Sequence, residues 1–300
     1  MDSPENEPEI DVEPAPPKPS RLRRVMTRAF KIGLGAFIAA HLYVLYLGLF
    51  PAPTTVTMMQ RSAAGETIKR DAVKLHDISP YLIAAVIAAE DGRFCSHHGI
   101  DRKALEKAIE DNKAGGRRRG ASTITQQTAK NLFLWNGGGM ARKAAEAYAA
   151  LLIDLLWSKE TIMEHYLNIA EWGDGIFGAE AAAQARFGKS AKDLSKREAA
   201  LLASVLPSPN KWRLDPPSEF VAGRAGTVQA RMNVTGSQGY GDCVLDGHPG
   251  YDARDFAGVK VKAKPPTEEI PDAVAADGES EISEVPSDDG LYDNAPVDGG

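Results

Sequence analysis

Residues 32–50, IGLGAFIAAHLYVLYLGLF, form a run of 19 residues with no formal charge unless His41 is protonated. As a helix this run would span roughly 28 Å, the depth of a bilayer core. Arg21, Arg23, Arg24, Arg28 and Lys31 precede it, and the segment after it is nearly uncharged. That bias predicts a single-pass transmembrane helix with the N-terminus in the cytoplasm and the remainder of the chain outside. A cleaved signal peptide fits less well, because the run exceeds a usual h-region and LFPAPTT is a poor cleavage site. A buried core helix is the other alternative.

The rest of the chain divides by composition. Residues 1–20, MDSPENEPEIDVEPAPPKPS, carry six acidic residues before the first basic one and are expected to form a disordered cytoplasmic tail. Residues 21–31 form a basic juxtamembrane segment. Residues 265–300 hold eleven acidic residues and no Lys or Arg, so 233–300 is expected to be an acidic, largely disordered extension. Between these tails, residues 15–264 contain 35 basic and 24 acidic residues, a net charge of +11 against −6 for the whole chain. A basic working part suits an anionic partner such as phosphate, nucleic acid or a membrane surface. Cys95 and Cys243 are the two cysteines. Under this topology they meet an oxidising compartment, and the sequence leaves open a disulfide or two free thiols.

From about Asp77 to Trp212 the pattern is helical and predicts a mostly α domain. SPYLIAAVIAAE starts with Ser79 as N-cap and Pro80 at the first helical position. DRKALEKAIED can be capped by Asp101, and SKREAALLASVL has the capping pair Ser195 and Glu198. GGMARKAAEAYAALLIDLLW is apolar on nearly every side after Ala147, which predicts a central helix enclosed by others. KAGGRRRG (113–120) reads as a mobile loop, and only AGVKVKAK (257–264) looks β-like.

Several fragments carry chemistry. Glu90 ends an apolar helix, where burial and the negative end of the helix dipole both raise a carboxylate's proton affinity toward that of a general base. Arg93 and His97 follow closely and suit orientation of Glu90 or contact with an anion. In GASTITQQTAKN (120–131), Ser122 is expected to cap a new helix whose N–H groups, with Lys130, suit a phosphate. Gln126 and Gln127 add amide donors and acceptors for sugar hydroxyls. RKAAE (142–146) places Arg142 and Glu146 one helical turn apart beside Lys143. KETIMEHYLNIAEWG (159–173) mixes Lys159, Glu164, Tyr166 and Asn168 into a helix, where they read as a wet face.

In this order and spacing the fragments resemble the five motifs of the family 51 glycosyltransferases, the peptidoglycan glycosyltransferases, and specifically their monofunctional, membrane-anchored biosynthetic type. Glu90, Asp91, Phe94, His97 and Gly99 match the first motif; Gly120 to Gln127 with Lys130 and Asn131 match the second. Arg142, Lys143 and Glu146 match the third, Lys159 to Asn168 the fourth, and residues 182–210 resemble the fifth. The resemblance covers about 53–232, and the notional glycosyltransferase domain is 51–232. Gly138 stands where such enzymes often have Arg, within the three glycines 137–139, and no transpeptidase domain is expected after 232.

The resemblance implies a lysozyme-like fold and polymerisation of an undecaprenyl-pyrophosphate-linked disaccharide-pentapeptide into glycan strands, with inversion. Glu90 is implied as base for the acceptor hydroxyl and Glu146 as the second catalytic carboxylate. Arg93, His97, Ser122, Thr123, Gln126, Gln127, Lys130, Asn131, Arg142 and Lys143 are the implied substrate contacts. A divalent cation, Mg or Mn, is expected to arrive with the pyrophosphate rather than at a protein metal site. Implied partners are the lipid-linked precursor, the growing glycan, the membrane and cell-wall synthesis or division proteins, with no nucleic acid. The implied location is a bacterial inner membrane with the catalytic domain in the periplasm. A glycan-cleaving enzyme of lysozyme type and a catalytically silent membrane-tethered scaffold are the rival readings.

Overall fold

The computed structural model describes residues 20–114, 120–135 and 137–257. The two acidic tails, the centre of the KAGGRRRG loop and nearly all of AGVKVKAK lie outside these residues. The chain separates into two compact units at Phe50 and Pro51. The first contains α1 (Arg21–Leu47), which Ser20 caps by accepting from Arg23 N–H. Helix α1 is long and apolar enough to cross a membrane. It begins within the basic segment and ends three residues before the boundary expected at residue 50, so charged and apolar stretches share one continuous helix.

The second unit is mostly helical, as expected. In chain order it comprises α2 (Val56–Ala63), α3 (Pro80–Glu90), α4 (Arg102–Lys113), α5 (Ile124–Phe133), α6 (Gly139–Leu156), α7 (Lys159–Ile169), α8 (Ala179–Phe187), α9 (Lys196–Val205), α10 (Glu219–Ser237), α11 (Asp242–Leu245) and α12 (Ala253–Phe256). Three short strands, β1 (Lys69–Arg70), β2 (Glu171–Gly173) and β3 (Ile176–Phe177), form a small sheet in the order β1-β3-β2. Strand β3 runs parallel to β1 and antiparallel to β2. No alternating run announced them, because strands of two or three residues are too short to show a period.

Ser79, Asp101 and Ser195 cap α3, α4 and α9 as the sequence predicts, and Glu198 completes the reciprocal pair with Ser195. The enclosed central helix is α3 rather than α6. Every residue from Leu82 to Ala89 is buried, between α9 and α10. Leu82, Ile83, Val86 and Ile87 each contribute about 1.5–3 kcal/mol by leaving water. In α6 only Glu146, Ala150 and Ile153 are buried, whereas Tyr148, Leu151 and Leu155 are exposed. A helix apolar all round gives no periodic clue to which face packs, and α6 presents one apolar face outward.

One alternative left open by the sequence is settled and one expectation is corrected. Cys95 and Cys243 form a disulfide, with Cα atoms 5.6 Å apart across 148 residues of sequence. Residues 233–257, assigned to a largely disordered extension, instead continue α10 to Ser237 and then form α11 and α12.

Gly99 joins the end of the first motif to α6. Its φ is +73°, and an added Cβ would lie 2.9 Å from the Ala150 carbonyl oxygen. Gly99→Ala is therefore expected to destabilise the domain by about 1–3 kcal/mol. Chemical unfolding followed by circular dichroism checks this; an unchanged midpoint would contradict the close approach.

Candidate active site

Pro80 and the Ser79 cap start α3, and Asp91 leaves helical geometry (φ −158°, ψ 72°), so Glu90 is its last residue. Gln127 Nε2 on α5 donates to Glu90 Oε2 at 2.8 Å, and Tyr166 O–H on α7 donates to Gln127 Oε1 at 3.2 Å. Glu90 Oε1 is shielded from solvent and has no hydrogen-bond partner. Part of the residue reaches the surface, but its carboxyl end is enclosed. Burial therefore raises its proton affinity above that of an ordinary carboxylate. The Gln127 hydrogen bond and the charges of Arg224 and Lys130 oppose this rise, while Asp91 adds to it. Burial and the neighbouring carboxylates likewise push the Tyr166 phenol well up, so it stays a neutral donor.

Asp91 faces the other way. Its carboxylate accepts from the Ile124 backbone N–H at 3.0 Å and contacts His97 Nε2 at 2.9 and 3.0 Å. Arg93 pairs with Asp101, which also caps α4 through Ala104 N–H. Thr123 O–H donates to the Gly99 carbonyl at 2.6 Å and caps α5, with Gln126 returning the bond. Lys159 Nζ donates to the His97 carbonyl (2.8 Å) and to Asp154 (2.7 Å) and lies over the Phe94 ring. Arg93, His97, Thr123 and Gln126, expected to contact substrate, are thus engaged in fixing the junction of α3, α4 and α5. Asp91, His97 and Asp101 could each aim one atom at a common ion. Their oxygens already serve Ile124 N–H, the imidazole, Arg93 and the α4 cap, which is a hydrogen-bond framework rather than a cation cage.

The second carboxylate lies on α6. Glu146 is 2% exposed and accepts from Arg142 at 2.7 Å and from Lys143 at 2.5 Å. Lys143 Nζ also donates to Ser122 Oγ at 2.9 Å. Ser122 is therefore not the cap of α5, which is Thr123, but a link from α5's approach to the cationic pair. The two glutamates share one reference element. Glu90 is tied to Gln127, and the Glu146 cluster is tied to Ser122 five residues earlier, just before the Thr123 cap of α5. Lys130 lies one turn beyond Gln127 on the same face and Asn131 is half-buried beside it. Arg142 Nε is buried without a hydrogen-bond partner.

Gly138 adopts φ +88°, and a Cβ there would lie 3.0 Å from Arg142 Cβ and 3.1 Å from Trp135 Nε1. Two residues read as a wet face are buried, and one further participant, Arg224, escaped the sequence reading. Tyr166, assigned to a wet face, is 1% exposed, and Asn168 is buried against Val73 N–H and C=O. Arg224 on α10 is 8% exposed, donates to the Ser204 carbonyl and acts electrostatically on Glu90. The presence of a second cation 134 residues from Glu90 has no local signal.

A family model described as Transglycosylase matches residues 56–233. The chain is 51% identical over 229 residues to the "Biosynthetic peptidoglycan transglycosylase" of Rhodospirillum centenum, covering 76% of this chain and 97% of that protein. It is 48% identical over 227 residues to the protein of the same description from Pseudomonas entomophila, covering 74% and 95%. The corresponding Stutzerimonas stutzeri protein is 43% identical over 234 residues, covering 76% and 97%.

The two glutamates should respond oppositely to neutralisation. A folded-state proton affinity above the unfolded value means that Glu90 costs stability once pH rises past the unfolded carboxylate range. Glu90→Gln is expected to abolish activity by a factor of about 10²–10⁴ while raising unfolding stability at pH 7 and leaving it unchanged near pH 3. Glu146→Gln leaves two cations facing each other and is expected to destabilise the domain by about 3–5 kcal/mol. Denaturant midpoints of both variants, at both pH values for Glu90→Gln, check the pair; equal signs at pH 7 would refute it.

Proposed function

The chain belongs to the transglycosylase family of peptidoglycan glycosyltransferases, which polymerise glycan strands, and on that premise we propose that Glu90 is its general base. The observation that carries this reading is a carboxylate with one oxygen clamped by Gln127 and the other, Oε1, enclosed and unpartnered. Oε1 takes the proton of an acceptor 4-hydroxyl. The acceptor oxygen forms its bond to the anomeric carbon of the donor from the face opposite the leaving group. The donor's bond to the lipid pyrophosphate breaks, and the pyrophosphate departs with the electron pair.

Charge grows on that leaving group, and preoriented cations stabilise it most where water is sparse. Glu146 holds Arg142 and Lys143 in place, so they need little rearrangement, and Arg142 Nε has an unused donor. Lys130 approaches from α5. Both Glu146 oxygens are taken by these cations, so the residues here do not form a metal cage. A divalent ion would arrive with the pyrophosphate and be held by substrate oxygens, where it would help neutralise the leaving group.

The double cationic pairing also disfavours a lysozyme-type hydrolase. Such an enzyme needs both carboxylates for acid, base or nucleophile work, and Glu146 is committed to its partners. The substrate's polyprenyl chain and the apolar α1 support membrane anchoring. The cations before residue 32 support a cytoplasmic N-terminus, and the Cys95–Cys243 bond supports an oxidising outer compartment for the domain. Cell-wall synthesis or division proteins are the partner class that fits this location.

Purified protein given the lipid-linked disaccharide-pentapeptide is expected to make polymer, separable by gel electrophoresis, and to leave mature glycan intact. Fragmented glycan without polymer would overturn the reading. The rate should fall as pH drops through the raised Glu90 value, placing the acid limb above the ordinary carboxylate range.

A further inference from the structure

The family match ends at residue 233, yet the fold continues to 257 and returns to the helix that bears Glu90. Cys243, in α11, is bonded to Cys95 in the single helical turn Phe94–Ser96, five residues past Glu90. That turn lies between Arg93 and His97, whose partners hold α4 and α5 in place. At the opposite end of α3, Phe256 of α12 is 1% exposed and packs on Tyr81 in the first helical turn, with ring centroids 5.3 Å apart.

Several contacts fasten this far end. An added Cβ at Gly236 would lie 2.3 Å from the Phe256 ring, so the site at residue 236 is shaped for that side chain. Tyr251 O–H donates to the Gly236 carbonyl at 2.5 Å, and Lys196 Nζ lies over both the Tyr81 and Phe256 rings. His248 Nε2 meets the Leu75 carbonyl at 3.1 Å, just before the α3 cap. An eleven-residue helix is only about 16 Å long, so a segment of some twenty residues can grip both ends.

We propose that residues 238–257 form a strap that positions the catalytic helix, with Cys95 and Cys243 acting as positioning residues that hold the chain following Glu90 in register with α5. The inference rests on the glycosyltransferase reading and deepens it. The geometry of Glu90 depends on what faces it: Asp91 beside it, Gln127 and Lys130 on α5, Tyr166 on α7 and Arg224 on α10. Only the α3–α5 junction sets the first three, and the disulfide anchors that junction from beyond the residues that the family model matches.

The test uses the full chain in detergent with the lipid-linked precursor, comparing wild type with Cys95→Ser/Cys243→Ser. The expected result is a kcat at least about tenfold lower with an unchanged KM, since a displacement near 1 Å is enough for such a loss. The acid limb should also move to lower pH, because a loosened junction admits water to Glu90. Dithiol treatment of folded wild type, well below its melting temperature, should reproduce both changes. There the S–S bond breaks, the two sulfurs take up two electrons and two protons, and the reagent becomes its own disulfide. Reoxidation should restore the rate.

Wild-type kcat and pH profile in the folded double variant would overturn the proposal. So would activity that falls only in step with helical content, which would make the bond a general staple; a variant that fails to fold is judged by the dithiol arm. If oxidised wild type forms no polymer at all, the glycosyltransferase reading fails first and the inference falls with it.

Discussion

The Asp91 carboxylate is the joint on which the site depends. It accepts the Ile124 N–H at the start of α5 and contacts His97 beyond the turn, so three stretches of chain meet at one charged group. An ionised acceptor at a helix N-terminus is favoured by the dipole as well as by the hydrogen bond. With the start of α5 fixed there, Gln127 falls one turn along, opposite Glu90, and Ser122 falls just before it, opposite Lys143. Thr123 on the Gly99 carbonyl adds a second fastening to the same point. The geometry of the candidate site thus follows from a cap.

The two glutamates are buried under contrary rules. Glu146 is compensated by two cations, so its enclosure is stable and its charge is spent on orienting Arg142 and Lys143. Glu90 has one neutral amide partner and an enclosed, empty oxygen, so its enclosure is costly and leaves it basic. The same apolar packing that stabilises α3 by burying Val86 and Ile87 strips water from Glu90 at its end. Stability and reactivity are therefore coupled along a single helix of eleven residues.

What the sequence could convey was local. Ser79 before Pro80, Asp101, and the Ser195 and Glu198 pair state their own roles within four residues, and the motif spacing singled out both glutamates as candidates. Ser122 and Thr123 offered two adjacent hydroxyls for one cap, and the choice was made by Gly99, 24 residues away. Residues 233–257 lack a long helical period, so their fold depends on contacts with α3 that only the tertiary structure supplies. Arg93 and His97 look like ligands because charged residues beside a catalytic group attract that reading, yet Asp101 and Asp91 engage them. Arg224 reaches Glu90 only because α10 packs along α3.

Gly138 shows how a departure from a family pattern can be a packing requirement. Family resemblance puts a basic residue at that position, and glycine there removes its charge. The backbone there is left-handed, and any Cβ would press on Arg142 Cβ and on the Trp135 indole nitrogen. The lost cation and the close approach of Trp135 are thus alternatives. The Arg142 side chain is only 10% exposed. Charge in such a drier setting acts more strongly than the same charge in water. One well-enclosed arginine, oriented by Glu146, can thereby offset part of what a second, solvated cation would have supplied.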